Sequence, residues 1–376
     1  MRVTIIEPFF VGSHAAWATG YASHSRHDVD ILKLSGNHWK WRMHGGAVTL
    51  ARRFLEGGVD PDVIVATDML DLTTFLALTR ERTSTTPTAI YFHENQITYP
   101  WSPKDRDLKR DRDKHYGFIN VASALAADRV FYNSRYHMES FLDSLPRFLG
   151  QFPDHQEMSR IEEIAEKSSV LSLGLDLRRM DDVEPIEDDR VSVRDGNHPV
   201  LLWNHRWEYD KNPDEFFSVL TDLFERNRPF GLVVLGEQFD VIPDGFRTGL
   251  DTLSERVIHS GYTDSRDDYA RWLRRCDVVP VTSHHDFFGA SVVEAMYCGC
   301  VPLLPRRLAY PELIPDEFHA RCFYDGADDL TERLDGLITT RDKLDSDPFR
   351  AAASRFDWNV MAPIYDEALE QTAAAK

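Results

Sequence analysis

Cysteine is scarce in this 376-residue chain, with four in all: Cys276, Cys298, Cys300 and Cys322. None belongs to a C-x2-C pair, and the closest two enclose a single glycine. That spacing argues against a zinc ribbon or a disulfide framework and fits a reducing, cytoplasmic setting. Long apolar runs are missing too. No stretch approaches the roughly 18–20 uncharged residues of a membrane span. The opening MRVTIIEPFF lacks the apolar core and small-residue cleavage site of a signal peptide. Positive charge is in short supply: 43 Lys and Arg stand against 62 Asp and Glu, a net charge of −19. Such a chain does not bind polyanions indiscriminately, although one local basic patch remains possible. A G-x-G-x-x-G fingerprint after the first strand is absent as well, which disfavours a nicotinamide cofactor.

What the chain does have is apolar content enough for a substantial core, 42%, with 11% aromatic. Short β-branched runs alternate with amphipathic stretches almost from end to end. Strands are expected over 3–6, 29–34, 63–66, 89–92, 129–132 and 170–173, with helices over 49–55, 70–78, 118–127 and 137–142 between them. That alternation is the signature of parallel βαβ units. The stretch RRMDDVEPIEDDRVSVRDGN is polar and aperiodic and reads as a linker. The pattern then restarts, with strands over 200–203, 232–235, 257–259, 278–281 and 301–304 and a helix from Asn212. The expectation is an α/β protein of two doubly wound, Rossmann-like domains facing across a cleft. Its divisions are 1–177, a linker 178–198, a second domain 199–356 and a C-terminal helix in 357–376. Over 363–375 that helix would carry Pro363 in its first turn, where proline is tolerated.

Ligands of doubly wound folds bind at the carboxyl ends of the strands, and the polar motifs fall there. Gly12-Ser13-His14 follows the first strand, where a glycine lets backbone approach an anion. A plain strand-to-helix turn would look the same. Arg206 and Lys211 lie five apart after the first strand of the second domain. Two cations at a βα junction suit a diphosphate; with Glu208 and Asp210 between them, they also suit a salt-bridged surface loop. After strand 278–281 come Asp286, Phe288, Gly289, Ala290, Ser291 and Glu294. Gly289 opens a helix whose amides can hold phosphate or sugar. Glu294, placed about two turns in among Val, Ala and Met, needs a partner, which ribose hydroxyls would supply. His93, Glu94 and Asn95 close a first-domain strand and point polar groups into the cleft. Trp39, Lys40, Trp41 and Arg42 interleave cations with indoles, a pattern able to stack a base and contact phosphate, or simply to pack with snorkelling cations. The mixed-charge run 104–114 reads as solvated surface, and the three D-x-D strings as incidental.

These residues carry a resemblance. R-x4-K-N and an acid-x7-Glu motif are similar to the GT-B glycosyltransferases of family 4, over 200–312. EPFFVGSH, WKWRM, ATDMLDL, YFHENQITYP, YGFIN with SALAADRV, WNHRWEYDKNP, VLGEQF and LAYPEL resemble the tRNA-queuosine α-mannosyltransferase family over nearly the whole chain. In one departure, Asp286 stands where the family-4 motif usually has Glu. The resemblance implies a retaining hexosyltransferase with GDP-mannose as donor and queuosine of a tRNA anticodon loop as acceptor. It implies an acceptor-binding first domain, a nucleotide-sugar-binding second domain and a C-terminal helix that crosses back to the first. In that reading Arg206 and Lys211 neutralise the leaving diphosphate, Glu294 accepts from ribose and Asp286 fixes sugar hydroxyls. His93 orients sugar or acceptor. Gly12 and Ser13, Tyr262, Phe288 and the 289–291 amides contact the donor. His14, Glu94, Asn95 and the Trp39–Arg42 segment face the acceptor. No cofactor, metal or membrane is called for. A transferase with a lipid or glycan acceptor, or a non-catalytic nucleotide- or RNA-binding relative, are the other readings open to the residues.

Overall fold

The computed structural model describes residues 1–58, 60–101, 114–183, 198–238, 242–340 and 344–375. The chain divides into two units: Met1–Leu175 with Trp358–Lys376, and Asp176–Asp357.

The first unit alternates strand and helix as its hydrophobic pattern requires. Its elements are β1 (Arg2–Phe10), α1 (Gly12–His24), β2 (Asp28–Ser35), α2 (Trp39–Gly57), β3 (Val63–Thr67), α3 (Leu72–Thr83), β4 (Thr88–Phe92), α4 (Lys114–Ala126), β5 (Arg129–Tyr132), α5 (Arg135–Leu149), α6 (Arg160–Glu166) and β6 (Ser168–Val170). The sheet is parallel in the order β2-β1-β3-β4-β5-β6. β3 and β4 are buried along their whole length, which explains their unbroken apolar runs. The order reverses between β1 and β3, so the loops that leave these strands flank the crevice where such sheets take ligands.

The second unit contains β7 (Val200–Trp203), α7 (Pro213–Glu225), β8 (Gly231–Leu235), α8 (Asp244–Thr252), β9 (Val257–Gly261), α9 (Arg266–Arg275), β10 (Val278–Pro280), α10 (Ala290–Tyr297), β11 (Val301–Pro305), α11 (Tyr310–Leu313), α12 (His319–Cys322), β12 (Phe323–Tyr324), α13 (Ala327–Thr339) and α14 (Asp347–Ser354). Its sheet order, β12-β11-β10-β7-β8-β9, is that of a dinucleotide-binding fold. The reversal falls between β7 and β10, the two strands followed by the Arg206/Lys211 and Asp286/Glu294 motifs.

Three expectations need correcting. The sixth strand is Ser168–Val170 rather than 170–173; it is an edge strand, while Leu171 and Leu173 are buried beyond its end. Arg178–Asp182 is a short 3-10 helix within the second unit, not a free linker. Asp181 there accepts from Arg274, Arg350 and Tyr297. The rest of the linker, 184–197, lies outside the described residues, as does 102–113 with two of the D-x-D strings. The last helix, α15 (Trp358–Ala374), starts five residues before Pro363, so that proline sits inside it rather than in its first turn.

Helix α15 belongs to the first unit. The Trp358 ring fills a slot made by Gly20 and Gly174, where an added Cβ would lie 2.0 Å and 2.5 Å from the indole. Tyr365 accepts from Trp17 Nε1 at 3.1 Å and donates to the Tyr91 hydroxyl at 2.9 Å. Trp358→Ala is expected to cost about 3–5 kcal/mol, read as a lower urea midpoint for the first unit.

Candidate active site

In the second unit, β7 ends at Trp203 and the chain passes through Asn204–Glu208 into a single 3-10 turn at Tyr209–Lys211. Asn212, at φ 55°, turns the backbone left-handed before Pro213 opens α7. Thr282 ties this turn to the end of β10, its hydroxyl donating to the carbonyls of Lys211 and Asn212. The turn buries Lys211. Its ammonium donates to the His285 carbonyl at 2.7 Å and lies 3.4 Å from both Asp210 and Asp286. Tyr310 donates to Asp286 at 2.8 Å. Burial pushes the Asp286 carboxyl up, but Lys211, His205 and the Tyr310 hydroxyl outweigh it and hold it below its usual range. Burial, then the Lys211 charge, lowers both His205 and His285 to about 4. Both imidazoles are therefore neutral at pH 7.

Gly289, at φ 94°, caps α10, and a Cβ there would meet Leu313 and Tyr310 at 3.2 Å. The His205 ring and the Ser291 hydroxyl share a 2.9 Å hydrogen bond, and Asn204 donates to the Ser291 carbonyl. Ala290 is the first helical residue. Glu294 is just over one turn into the helix rather than two. Its partners are already in the protein: Arg266 at 2.5 Å and the Tyr269 hydroxyl at 3.0 Å. The partner that burial requires is thus supplied within the fold. Arg206 is 44% exposed at its side chain and pairs with Glu208 at 3.1 Å. Both ion pairs expected of a salt-bridged loop thus form, yet Lys211 is at the heart of the cluster and not at the surface. Phe288 packs edge-on against Phe356. Tyr262 follows edge strand β9, 68% exposed and outside the cluster.

The first unit holds a second polar cluster. His93 follows β4, its N–H donating to Asp68 at 2.8 Å and its carbonyl accepting from Asn133. Its ring lies 4.2 Å from that of His14 and meets Trp17 edge-on at 4.8 Å. His14 is bonded to Glu7 at 3.0 Å, both being buried. Burial opposes charge on His14, but Glu7, then Asp68 and Glu94, prevail and raise it to about 9. His93 is driven the other way, by burial and by the His14 cation, well below the usual histidine range. Burial raises Asp68. Glu7, His14 and His93 offer ligand atoms within 4.8 Å of one another, the one such trio among the described residues; the Glu7–His14 contact makes it a charge pair beside a neutral imidazole.

Gly12, at φ 52°, opens α1, and Ser13 beside it is exposed. Glu94, half-buried, accepts from Gln96. Asn95 is fully buried, and its amide bonds Ile97, Thr98 N–H and the Thr98 hydroxyl. It shapes the loop and has no surface to offer an acceptor. The tryptophans divide: Trp39 packs with Trp101 and Tyr116, whereas Trp41 is 63% exposed. The Lys40 ammonium lies over Trp101 at 5.2 Å, and Arg42 donates to Ser35.

Sequence reading passed over Glu7, Asp68, His205, Arg266, Tyr269 and Tyr310. A carboxylate inside the apolar run TIIEPFF signals Glu7. Nothing in sequence couples α9 to Glu294, because that contact is made by the tertiary fold.

Comparison with known proteins gives the chain a class. Residues 186–354 match the model for glycosyl transferases group 1. The Anabaena protein HepE, solved with UDP and glucose, shares the fold at TM-score 0.67 and 16% identity, over 99% of this chain and 100% of that one. Sucrose-phosphate synthase from Thermosynechococcus elongatus does so at TM-score 0.70 and 14% identity, over the whole of both chains. The fold is that of a glycosyltransferase of the GT-B class.

The first unit narrows this. Residues 2–175 match the model for the N-terminal part of tRNA-queuosine alpha-mannosyltransferase. The Drosophila melanogaster protein of that name is 33% identical over 89% of this chain and 86% of its own. The chain belongs to the tRNA-queuosine α-mannosyltransferase family. No helix among the described residues is long and apolar enough to cross a membrane.

Proposed function

We propose that the protein transfers mannose from GDP-mannose, with retention at the sugar carbon, to queuosine in a tRNA anticodon loop. The observation that carries this reading is the match of both units, the first to the N-terminal model of that one family. The four cysteines are buried and free, in keeping with a cytoplasmic enzyme.

The chemistry follows from the charges. A glycosyl transition state is oxocarbenium-like, and its leaving diphosphate gains negative charge, so positioned donors and cations dominate. Lys211 now shares its ammonium between two carboxylates. Donor binding moves that ammonium onto the diphosphate and frees Asp286 to accept from sugar hydroxyls. Arg206 adds a second cation, and the amides from Gly289 to Ser291 supply N–H donors. In this proposal these groups meet the leaving charge without a metal. Glu294, oriented by Arg266 and Tyr269, accepts from ribose, while Tyr262 and Phe288 border the base and sugar. The Gly12–Ser13 backbone approaches the donor. Neutral His93 orients the transferred mannose, and His14 and Glu94 face the acceptor. The departing phosphate oxygen takes the acceptor proton as the new bond forms on the same face.

The test uses purified protein, GDP-mannose and tRNA that carries queuosine, digested to nucleosides after reaction. The expected product is queuosine heavier by one hexose, with none from queuosine-free tRNA. Tight GDP binding with no hexose on any nucleoside would refute tRNA as the acceptor.

A further inference from the structure

In a chain of net charge −19, cations left without a carboxylate are informative. Several arginines of the first unit have acidic partners: Arg52 with Glu56, Arg82 with Asp60, Arg160 with Glu163. Between the end of edge strand β2 and helix α2 the pattern breaks. An open groove of about 650 Å³ is lined there by Phe10, Lys33, Ser35, Arg42 and Arg53, among others. None of Lys33, Arg42 and Arg53 has a carboxylate partner among the described residues.

Each of the three is nevertheless held in place. Lys33 Nζ sits 3.9 Å over the Phe10 ring, a cation–π contact that steadies it without cancelling its charge. Arg42 Nε donates to the Ser35 carbonyl at 3.1 Å and its Nη2 to the Ser35 hydroxyl at 3.3 Å. Arg53 Nη1 donates to the Lys33 carbonyl at 3.0 Å. The carbonyls of an edge strand thus orient both guanidinium groups, whose other N–H donors remain for a ligand. Trp41, next to Arg42 on α2, lies with its ring against Gly45 and is 63% exposed, which leaves indole surface on which a base can stack.

We infer that this groove is a phosphate-binding track for the RNA backbone of the acceptor, with Lys33, Arg42 and Arg53 each contacting a phosphate and Trp41 stacking an adjoining base. The inference rests on the reading of tRNA as acceptor and adds a sequence-independent anchor to it. An anion-repelling surface needs such a track, because phosphate contacts supply most of the affinity of a nucleic-acid complex.

The experiment measures binding of fluorescent tRNA to the full chain across a KCl series, for wild type, Lys33→Glu, Arg53→Ala and the pair. Lys33 and Arg53 are exposed, so folding is checked simply, by unchanged thermal midpoint and GDP binding. Each lost phosphate contact lowers the slope of log K against log salt by about 0.7–0.9. Affinity falls equally for tRNA with and without queuosine. Arg53→Lys restores part of the loss. Wild-type affinity and slope in the paired variant would overturn the proposal. So would a loss confined to queuosine-containing tRNA, or binding of anionic lipid vesicles in place of tRNA. The two readings fail separately. Absence of hexose transfer by wild type, with weakened tRNA binding by the variants, sinks the activity and leaves the groove. Transfer by wild type with undiminished binding by the variants sinks the groove alone.

Discussion

Lys211→Met lowers the rate of hexose transfer by about 10²–10³-fold, the scale of losing one positioned donor to a developing anion. It also destabilises the second unit by about 3–5 kcal/mol, because Asp210 and Asp286 are left buried without their shared cation. Arg206→Ala separates the two effects. Its guanidinium is 44% exposed and pairs with the partly exposed Glu208 at 3.1 Å, so transfer falls while the urea midpoint stays. Single-turnover rates and urea titrations of both variants provide the check. Adding Asp286→Asn to Lys211→Met should recover stability without recovering rate. Wild-type turnover in Lys211→Met would remove the diphosphate role altogether.

The second large effect is a pH dependence seated in the first unit. His14 is raised from 6.5 to about 9 in the fold. A group raised in this way contributes stability that is complete below pH 6.5 and is lost as pH climbs through about 9. The contribution is up to about 3 kcal/mol. Asp68, raised by burial, works in the same direction, since the folded state holds its proton longer. The thermal midpoint of the first unit therefore falls between pH 6.5 and 9.5, by several degrees. Glu7→Gln removes the main support of the imidazolium. In that variant His14 is neutral at pH 7, the midpoint is lower throughout, and its decline over this window is largely gone. A wild-type decline of equal size in Glu7→Gln would mean that another group titrates.

The places where sequence reading succeeded share a cause. β3, β4, β7 and β8 are buried on both faces, so burial wrote their limits into apolar runs. β6 and β12 are edge strands of three and two residues, too short and too little constrained to leave such a run. The polar motifs were legible because strands of known direction end in loops at a known edge. Their internal pairing was not. Glu294 needed a partner, and the fold supplies Arg266 from a helix 28 residues away, a pairing that no spacing in the sequence displays. Likewise, Trp39 and Trp41 are two residues apart and look equivalent in sequence, yet the helical turn sends one into the aromatic packing and the other to solvent.

The placement of α15 sets an order of events during synthesis. The ribosome emits Met1–Leu175, then all of Asp176–Asp357, before it reaches Trp358. At roughly 5–20 residues per second the interval is on the order of ten seconds or more. Through that time the slot of Gly20 and Gly174 has no indole, and Tyr365 is not yet there to bond Trp17 and Tyr91, the two rings that brace His93. The inserted unit has its complete chain first and can fold while still tethered. The His93 side matures last, so a nascent chain can complete the Lys211–Asp286 cluster before the His14–His93 cluster has all its bracing rings.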